Sequence, residues 1–189
     1  MGHMEEFISE LIDIIVAIDD QTVSLILELR SPLLTKVLTS VTGLGSAAAA
    51  VVFLGFFGLA GWEDELLMAA VALVLTGVVV GVLMQTVQRP FPPAPVCMTG
   101  DAGNIATSFP SGHAAAVVVF AMTARQSPRL PFGVVAGLAA TVSFSRIYLG
   151  THYLSDTVAG VAIGVLAFAT ARRLVNRSEL LSRARLALE

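Results

Sequence analysis

The chain has 189 residues, 56% hydrophobic and 13% charged, with a formal net charge of −3. Soluble domains carry about 25% charged residues, so at a mean hydropathy of +0.83 the apolar excess exceeds what one water-soluble core can hide. No basic stripe marks a nucleic-acid surface, and the single cysteine, Cys97, excludes an intrachain disulfide framework.

Residues 1–3 read as a tag remnant, with Met4 as the native start and no basic stretch of a cleavable signal before the first apolar residues. Insertion would then use the spanning segments themselves. Phe7, Ile8, Leu11, Ile12, Ile15 and Val16 recur at helical spacing, opposite Glu5, Glu6, Glu10 and Asp13. About 15 residues of such helix are too short to span, which predicts an amphipathic interfacial helix over 4–18. Asp19-Asp20 is expected to break it, with Asp20 capping a second short helix over 21–29. Ser31-Pro32 starts another. Residues 4–37 thus form an N-terminal interfacial segment.

Five spans are predicted over 38–61, 66–87, 110–124, 132–149 and 154–174. The first carries Gly43, Gly45 and a Ser46–Ala50 run as a smooth face for helix contact and ends at Trp62, an indole suited to the headgroup layer. Glu63-Asp64-Glu65 is expected to form a polar turn. Gly77 and Gly81 in the second span, like Gly160 and Gly164 in the fifth, stand four apart and suit close helix contact within one chain or between chains, so oligomeric state is unreadable. A Pro- and Gly-rich loop covers 91–109, and 175–189 is a basic tail. Arg125, Arg129, Arg172, Arg173, Arg177, Arg183 and Arg185 share one face, which the positive-inside rule makes cytoplasmic. Arg89, His113, Arg146 and His152 then fall together on the opposite, extracytoplasmic side. The fold class is an all-α integral membrane bundle of about five transmembrane helices plus the N-terminal amphipathic helix.

The chemistry sits at two helix starts. Pro110-Ser111-Gly112-His113 opens the third span, where N–H groups and the helix dipole favour phosphate and Gly112 lets a ligand approach the backbone. His113, in that first turn, can donate a proton to a leaving oxygen. His152 and Asp156, four apart, share a helix face, so the carboxylate can accept from one imidazole nitrogen and leave the other as a nucleophile. Such a pair is expensive at membrane depth unless it has work to do. Arg146, across from His152 over Gly150, which permits a sharp turn, and Arg89, at the end of the second span, can return guanidinium groups to the same phosphate.

These residues make the chain resemble the type 2 phosphatidic acid phosphatase family, which shares its site with bacterial acid phosphatases and vanadium haloperoxidases. Two of that family's motifs are complete, Pro110-Ser111-Gly112-His113 and Ser145-Arg146 through His152 to Asp156; of the first only Arg89-Pro90 is present, with Val82 where its lysine would stand. The resemblance covers about residues 38–174. It implies that His152 attacks phosphorus, Asp156 orients it, and His113 protonates the leaving group and then activates water. It also implies that Arg89, Arg146, Ser111 and the Gly112 N–H hold the phosphate oxygens, with no metal or other cofactor. Lys36 and Gln85 are candidates to replace the missing lysine. The implied substrate is a lipid phosphate of the cell membrane: a polyprenyl phosphate or diphosphate, phosphatidylglycerol phosphate or phosphatidic acid. A phosphotransferase using the same intermediate, or a non-catalytic lipid-binding or transport relative, are the alternatives.

Overall fold

In the computed structural model residues 2–96 and 107–186 are described, with side chains over 3–96 and 107–177. Cys97, most of the 91–109 loop and the side chains of Arg183 and Arg185 lie outside the described residues. The described residues form helices joined by turns, with no strand among them: α1 (Gly2–Leu29), α2 (Pro32–Thr42), α3 (Ala47–Leu59), α4 (Glu63–Val87), α5 (Gly112–Gln126), α6 (Phe132–Tyr148) and α7 (Leu154–Leu186).

The centre of the bundle is α5, which packs against α4, α6 and α7. Its small and β-branched residues Ala114, Ala115, Val119 and Ala124 are buried on several sides. Gly160 and Gly164 of α7 lie against its backbone. A methyl group at Gly160 would collide with the Ser111 carbonyl oxygen, and one at Gly164 would come within 2.5 Å of the Ala115 carbonyl oxygen. This pair therefore serves contact within the chain, whereas Gly77 and Gly81 have nothing within 4 Å of a built methyl group.

Glu63–Val87 and Leu154–Arg177 are each long and apolar enough to cross a membrane; Pro32–Gly45 with Ala47–Leu59, bent by 58°, adds a third if the pair is one span. The bend corrects the expectation of a smooth first span. Gly43–Gly45 forms a 3-10 turn, and Ser46, in extended conformation, caps α3 by accepting from the Ala49 N–H. The glycines thus mark a break where Gly45 sits against His113 and Val142.

The N-terminal helix also departs from expectation. Asp19-Asp20 does not interrupt it: α1 runs unbroken for 28 residues, because the Asp19 side chain is taken up by tertiary partners instead of competing for its own backbone. Residues Ile12, Ile15 and Val16 of α1 face Val158, Ala159 and Ala162 of α7 across an apolar groove. Glu63-Asp64-Glu65 is the first turn of α4, not a loop, so its three carboxylates meet the positive end of the helix dipole.

Glu65 is buried, accepting from Arg129 at 3.0 Å and from the Ser127 hydroxyl at 2.6 Å. It ties the start of α4 to the α5–α6 turn at the end of the bundle opposite the histidines. Arg129 is half exposed, so the full cost of breaking a buried pair does not apply. Glu65→Ala is expected to destabilise the protein by about 2 kcal/mol, read as a lowered thermal midpoint in detergent with the turnover of the remaining folded protein unchanged. An unshifted midpoint would make the pair ornamental.

Candidate active site

Five chain segments meet at the other end. α4 closes at Gln88, whose left-handed backbone (φ 42°) turns the chain so that Arg89 points back across the bundle. The Arg89 carbonyl accepts from the Ser108 N–H at 2.7 Å, and the Ser108 hydroxyl donates to the Pro90 carbonyl. The Phe109–Pro110 peptide is cis. Ser111 is fully buried and caps α5, its hydroxyl accepting from the Ala114 N–H, while its own N–H donates to the Asp156 carbonyl. Gly112 and His113 open that helix, as the sequence predicts.

The turn carrying His152 is built on one carbonyl. The Arg146 carbonyl accepts from the N–H groups of Thr151 and His152, both at 3.2 Å, and from the Thr151 hydroxyl. Gly150 has φ +69°, and its N–H donates to Ile147. This is the bonding of a left-handed helix cap, which a side chain at 150 would strain; a methyl group there would also come within 2.7 Å of the Arg30 guanidinium. Arg30 in turn donates to the Tyr148 and Ala94 carbonyls, clamping the end of α6.

Nδ1 of the buried His152 lies 2.5 Å from the Ser108 carbonyl oxygen. A carbonyl can only accept, so Nδ1 carries the proton and the neutral ring keeps its lone pair on Nε2. Burial first, then the charge of Arg146, pushes the His152 pKa down to about 3, against the Ser108 bond that favours the charged ring. His113 is also within electrostatic reach of His152. The Arg146 guanidinium donates to the Thr42 hydroxyl at 2.9 Å, at the break between α2 and α3.

Two expected placements change. Asp156 does not hold the imidazole: its carboxylate is 4.0 Å from His152 Nδ1, with Oδ2 accepting from the Tyr153 N–H and Oδ1 from Arg89 at 2.6 Å. As the third residue of α7 it reaches back to the helix start, and the Ser108 carbonyl takes the orienting place. Arg89 does not stand open to a ligand. It donates to Asp156, Ser155 and Asp19 and stacks 4.0 Å over the Tyr153 ring. Burial opposes its charge, yet the bonds to Asp19 and Asp156 hold its pKa above the ordinary value.

Neither candidate for the missing lysine joins the group. Lys36 and Gln85 both have exposed side chains. Val82 is 57% exposed and continues an outward stripe with Val74 and Val78, so that face of α4 looks away from the site. The residues that sequence reasoning missed are Asp19, Thr42, Ser108 and Ser155. Only Asp19 left a signal, an acidic residue inside an apolar helix pattern.

An apolar groove of about 470 Å³ runs between α3, α5 and α6. Leu44, Val117 and Val142 form its inner end, and Phe53, Phe56 and Phe57 line its α3 wall. Val117 is one turn from His113 and Val142 one turn from Arg146, so the groove reaches to just beneath the site.

Known proteins resemble this chain in sequence and in fold. The chain is 31% identical to decaprenylphosphoryl-5-phosphoribose phosphatase of Mycobacterium tuberculosis over 60% of its own length, and spans 63% of that relative. It is 30% identical to phosphatidylglycerophosphatase B of Bacillus subtilis, over 74% of each chain. Among solved structures, Aquifex aeolicus LpxE superposes with a TM-score of 0.69 at 24% identity, over 81% of this chain and 93% of that one. The transmembrane PAP2 type phosphatidylglycerolphosphate phosphatase of Bacillus subtilis superposes with a TM-score of 0.73 at 21% identity, over 84% and 85%. Residues 65–179, which hold both histidines and both site arginines, match the PAP2 superfamily, and the chain belongs to that family.

Proposed function

We propose that this protein is a membrane lipid-phosphate phosphatase working through a phosphohistidine. Nε2 of His152 attacks phosphorus, forming a P–N bond as the P–O bond to the lipid breaks, and His113 gives its proton to the departing oxygen. His113 then takes a proton from water, whose oxygen attacks phosphorus; the P–N bond breaks, freeing phosphate and neutral His152. Arg146, with the Ser111-Gly112-His113 start of α5, holds the phosphate oxygens. Asp156 and Arg89 fix the start of α7. The observation that carries this reading is the buried His152 ring with its Nδ1 tied to the Ser108 carbonyl, which leaves Nε2 as the nucleophilic nitrogen.

The groove beneath Arg146 and His113 supports a lipid substrate, since a chain lying in it would leave its phosphate at the histidines. Polyprenyl phosphate or diphosphate, phosphatidylglycerol phosphate and phosphatidic acid all fit that description. In this reading the end of α2 together with α3, then α4, α5, α6 and α7, are the five spans, and α1 is an amphipathic helix at the edge of the bundle. The site faces the extracytoplasmic side, and the arginine-rich end with the C-terminus is cytoplasmic.

The test is phosphate release in detergent, with a chelator present, over that panel of lipids and a short water-soluble phosphomonoester. We expect release from at least one lipid. Leu138→Trp, at the exposed rim of the groove, should raise KM for that lipid about fivefold, on the order of 1 kcal/mol, and move the soluble ester less than about twofold. Equal effects on both substrates would remove the groove from chain binding. No release from any lipid would overturn the phosphatase reading in favour of a lipid-binding relative; transfer to an acceptor other than water would make it a phosphotransferase.

A further inference from the structure

α7 begins without a capping side chain of its own. The residue before Leu154 is Tyr153, and a phenol does not return to the first-turn N–H groups as Ser, Thr, Asp or Asn would. The cap comes from another helix. Asp19 of α1 is 1% exposed. Its Oδ1 accepts from the Ser155 N–H at 2.9 Å, and its Oδ2 accepts from the Ser155 hydroxyl at 2.5 Å and from Arg89 Nη2 at 2.8 Å. Asp156 supplies the reciprocal half of a capping box by accepting from the Tyr153 N–H at 2.9 Å. Arg89 bridges the two carboxylates. The residue next to this doubly held helix start is His152.

We infer that Asp19 is a positioning residue: it caps α7 from α1 and thereby fixes the turn that presents His152. A carboxylate serving only to hold Arg89 until a phosphate displaces it would not also need the Ser155 N–H and hydroxyl. This inference rests on the reading of His152 as the nucleophile. It makes the N-terminal helix part of the active-site scaffold, although α1 contributes no group that touches substrate. A small misplacement of a reacting group costs up to about a hundredfold in rate, which sets the scale of the effect.

The test compares the parent with Asp19→Ala and Asp19→Asn, both full length in detergent. Two readouts are used: steady-state phosphate release, and amide hydrogen exchange over residues 150–158. Asp19→Ala should lower kcat about tenfold or more with KM within about threefold, and should speed exchange at the start of α7. Asn caps about as well as Asp, so Asp19→Asn should return kcat to within about threefold of the parent and slow the exchange again. Parental kcat and exchange in Asp19→Ala would overturn the inference. So would Asp19→Asn behaving like Asp19→Ala, which would assign the effect to charge on Arg89 and not to the cap. Unchanged kcat with tighter inhibition by inorganic phosphate would instead make Asp19 a competitor for Arg89. If Asp19→Ala does not fold, Asp19→Asn decides: kcat within about threefold of the parent with parental exchange over 150–158 upholds the cap, and a tenfold loss of kcat with faster exchange overturns it. If the parent releases no phosphate, the phosphatase reading fails, and the exchange rates alone uphold or overturn the cap.

Discussion

Replacing His152 with alanine is expected to abolish phosphate release, by about 10⁴-fold or more, because it removes the nucleophile of the proposed cycle. The more informative partner is His113→Asn. In the proposed cycle His113 acts twice, as acid toward the lipid oxygen and as base toward water. A lipid alkoxide is a poor leaving group and needs the proton; a nitrophenolate does not. With nitrophenyl phosphate the first step should survive in His113→Asn while the second stalls, so phosphoenzyme should accumulate. The label should be acid-labile and base-stable, as a phosphoramidate is, and absent from the double variant with His152→Ala. A burst of nitrophenol matching the enzyme concentration would accompany it. If His113→Asn traps nothing and turns over both esters with equal loss, His113 is not the base, and the two-step scheme fails at its second half.

How far the sequence carried to this site differs from residue to residue. The helix-start placement of Ser111, Gly112 and His113 was legible because proline, serine and glycine each have a stated positional preference there. The turn at Gly150 was legible for the same reason, and its φ of +69° bears it out. The partners of these groups were not legible. That Ser108, forty-four residues before His152, would offer it a carbonyl depends on how the segment before Pro110 folds, and a backbone carbonyl has no sequence signature. Asp156 has the right spacing to face His152, but a carboxylate in a first helical turn is also drawn to its own helix start, and here that attraction prevails. Asp19-Asp20 reads as a break from local propensity alone, which does not include the part-buried arginine seventy positions away that pairs with Asp19. The break at Gly43–Gly45 was missed because small residues suit both a smooth helix face and a bend, and only the packing of His113 and Val142 against Gly45 selects between them.

The second large effect is expected at Arg146. Arg89 already meets two carboxylates, and position 82 offers no lysine, so in the proposed cycle the charge developing on phosphate is assigned chiefly to Arg146. Its substitution leaves in place the Arg146 carbonyl on which the turn before His152 hangs, while removing the side-chain bond to Thr42. Arg146→Ala should therefore keep the turn and lower kcat by about 10²–10³-fold, the range for removing one oxyanion-stabilising group. Arg146→Lys should recover part of this, since it restores charge without the planar fork. The pH dependence should move as well. The charge of Arg146 is the second cause, after burial, of a His152 pKa near 3; removing it favours the protonated ring and raises that pKa. Activity that needs neutral His152 should then fail at higher pH on the acid side than in the parent. Stability follows the same sign. Between the ordinary value of 6.5 and about 3 the unfolded chain binds a proton that folded His152 refuses, so the parent loses stability as pH falls through this window. Arg146→Ala should narrow the window from its lower edge. An acid limb that stays in place while kcat falls would leave Arg146 a phosphate ligand that does not tune the nucleophile. An unchanged kcat would return the phosphate to Arg89, and with it require that Asp19 and Asp156 release their arginine when substrate binds.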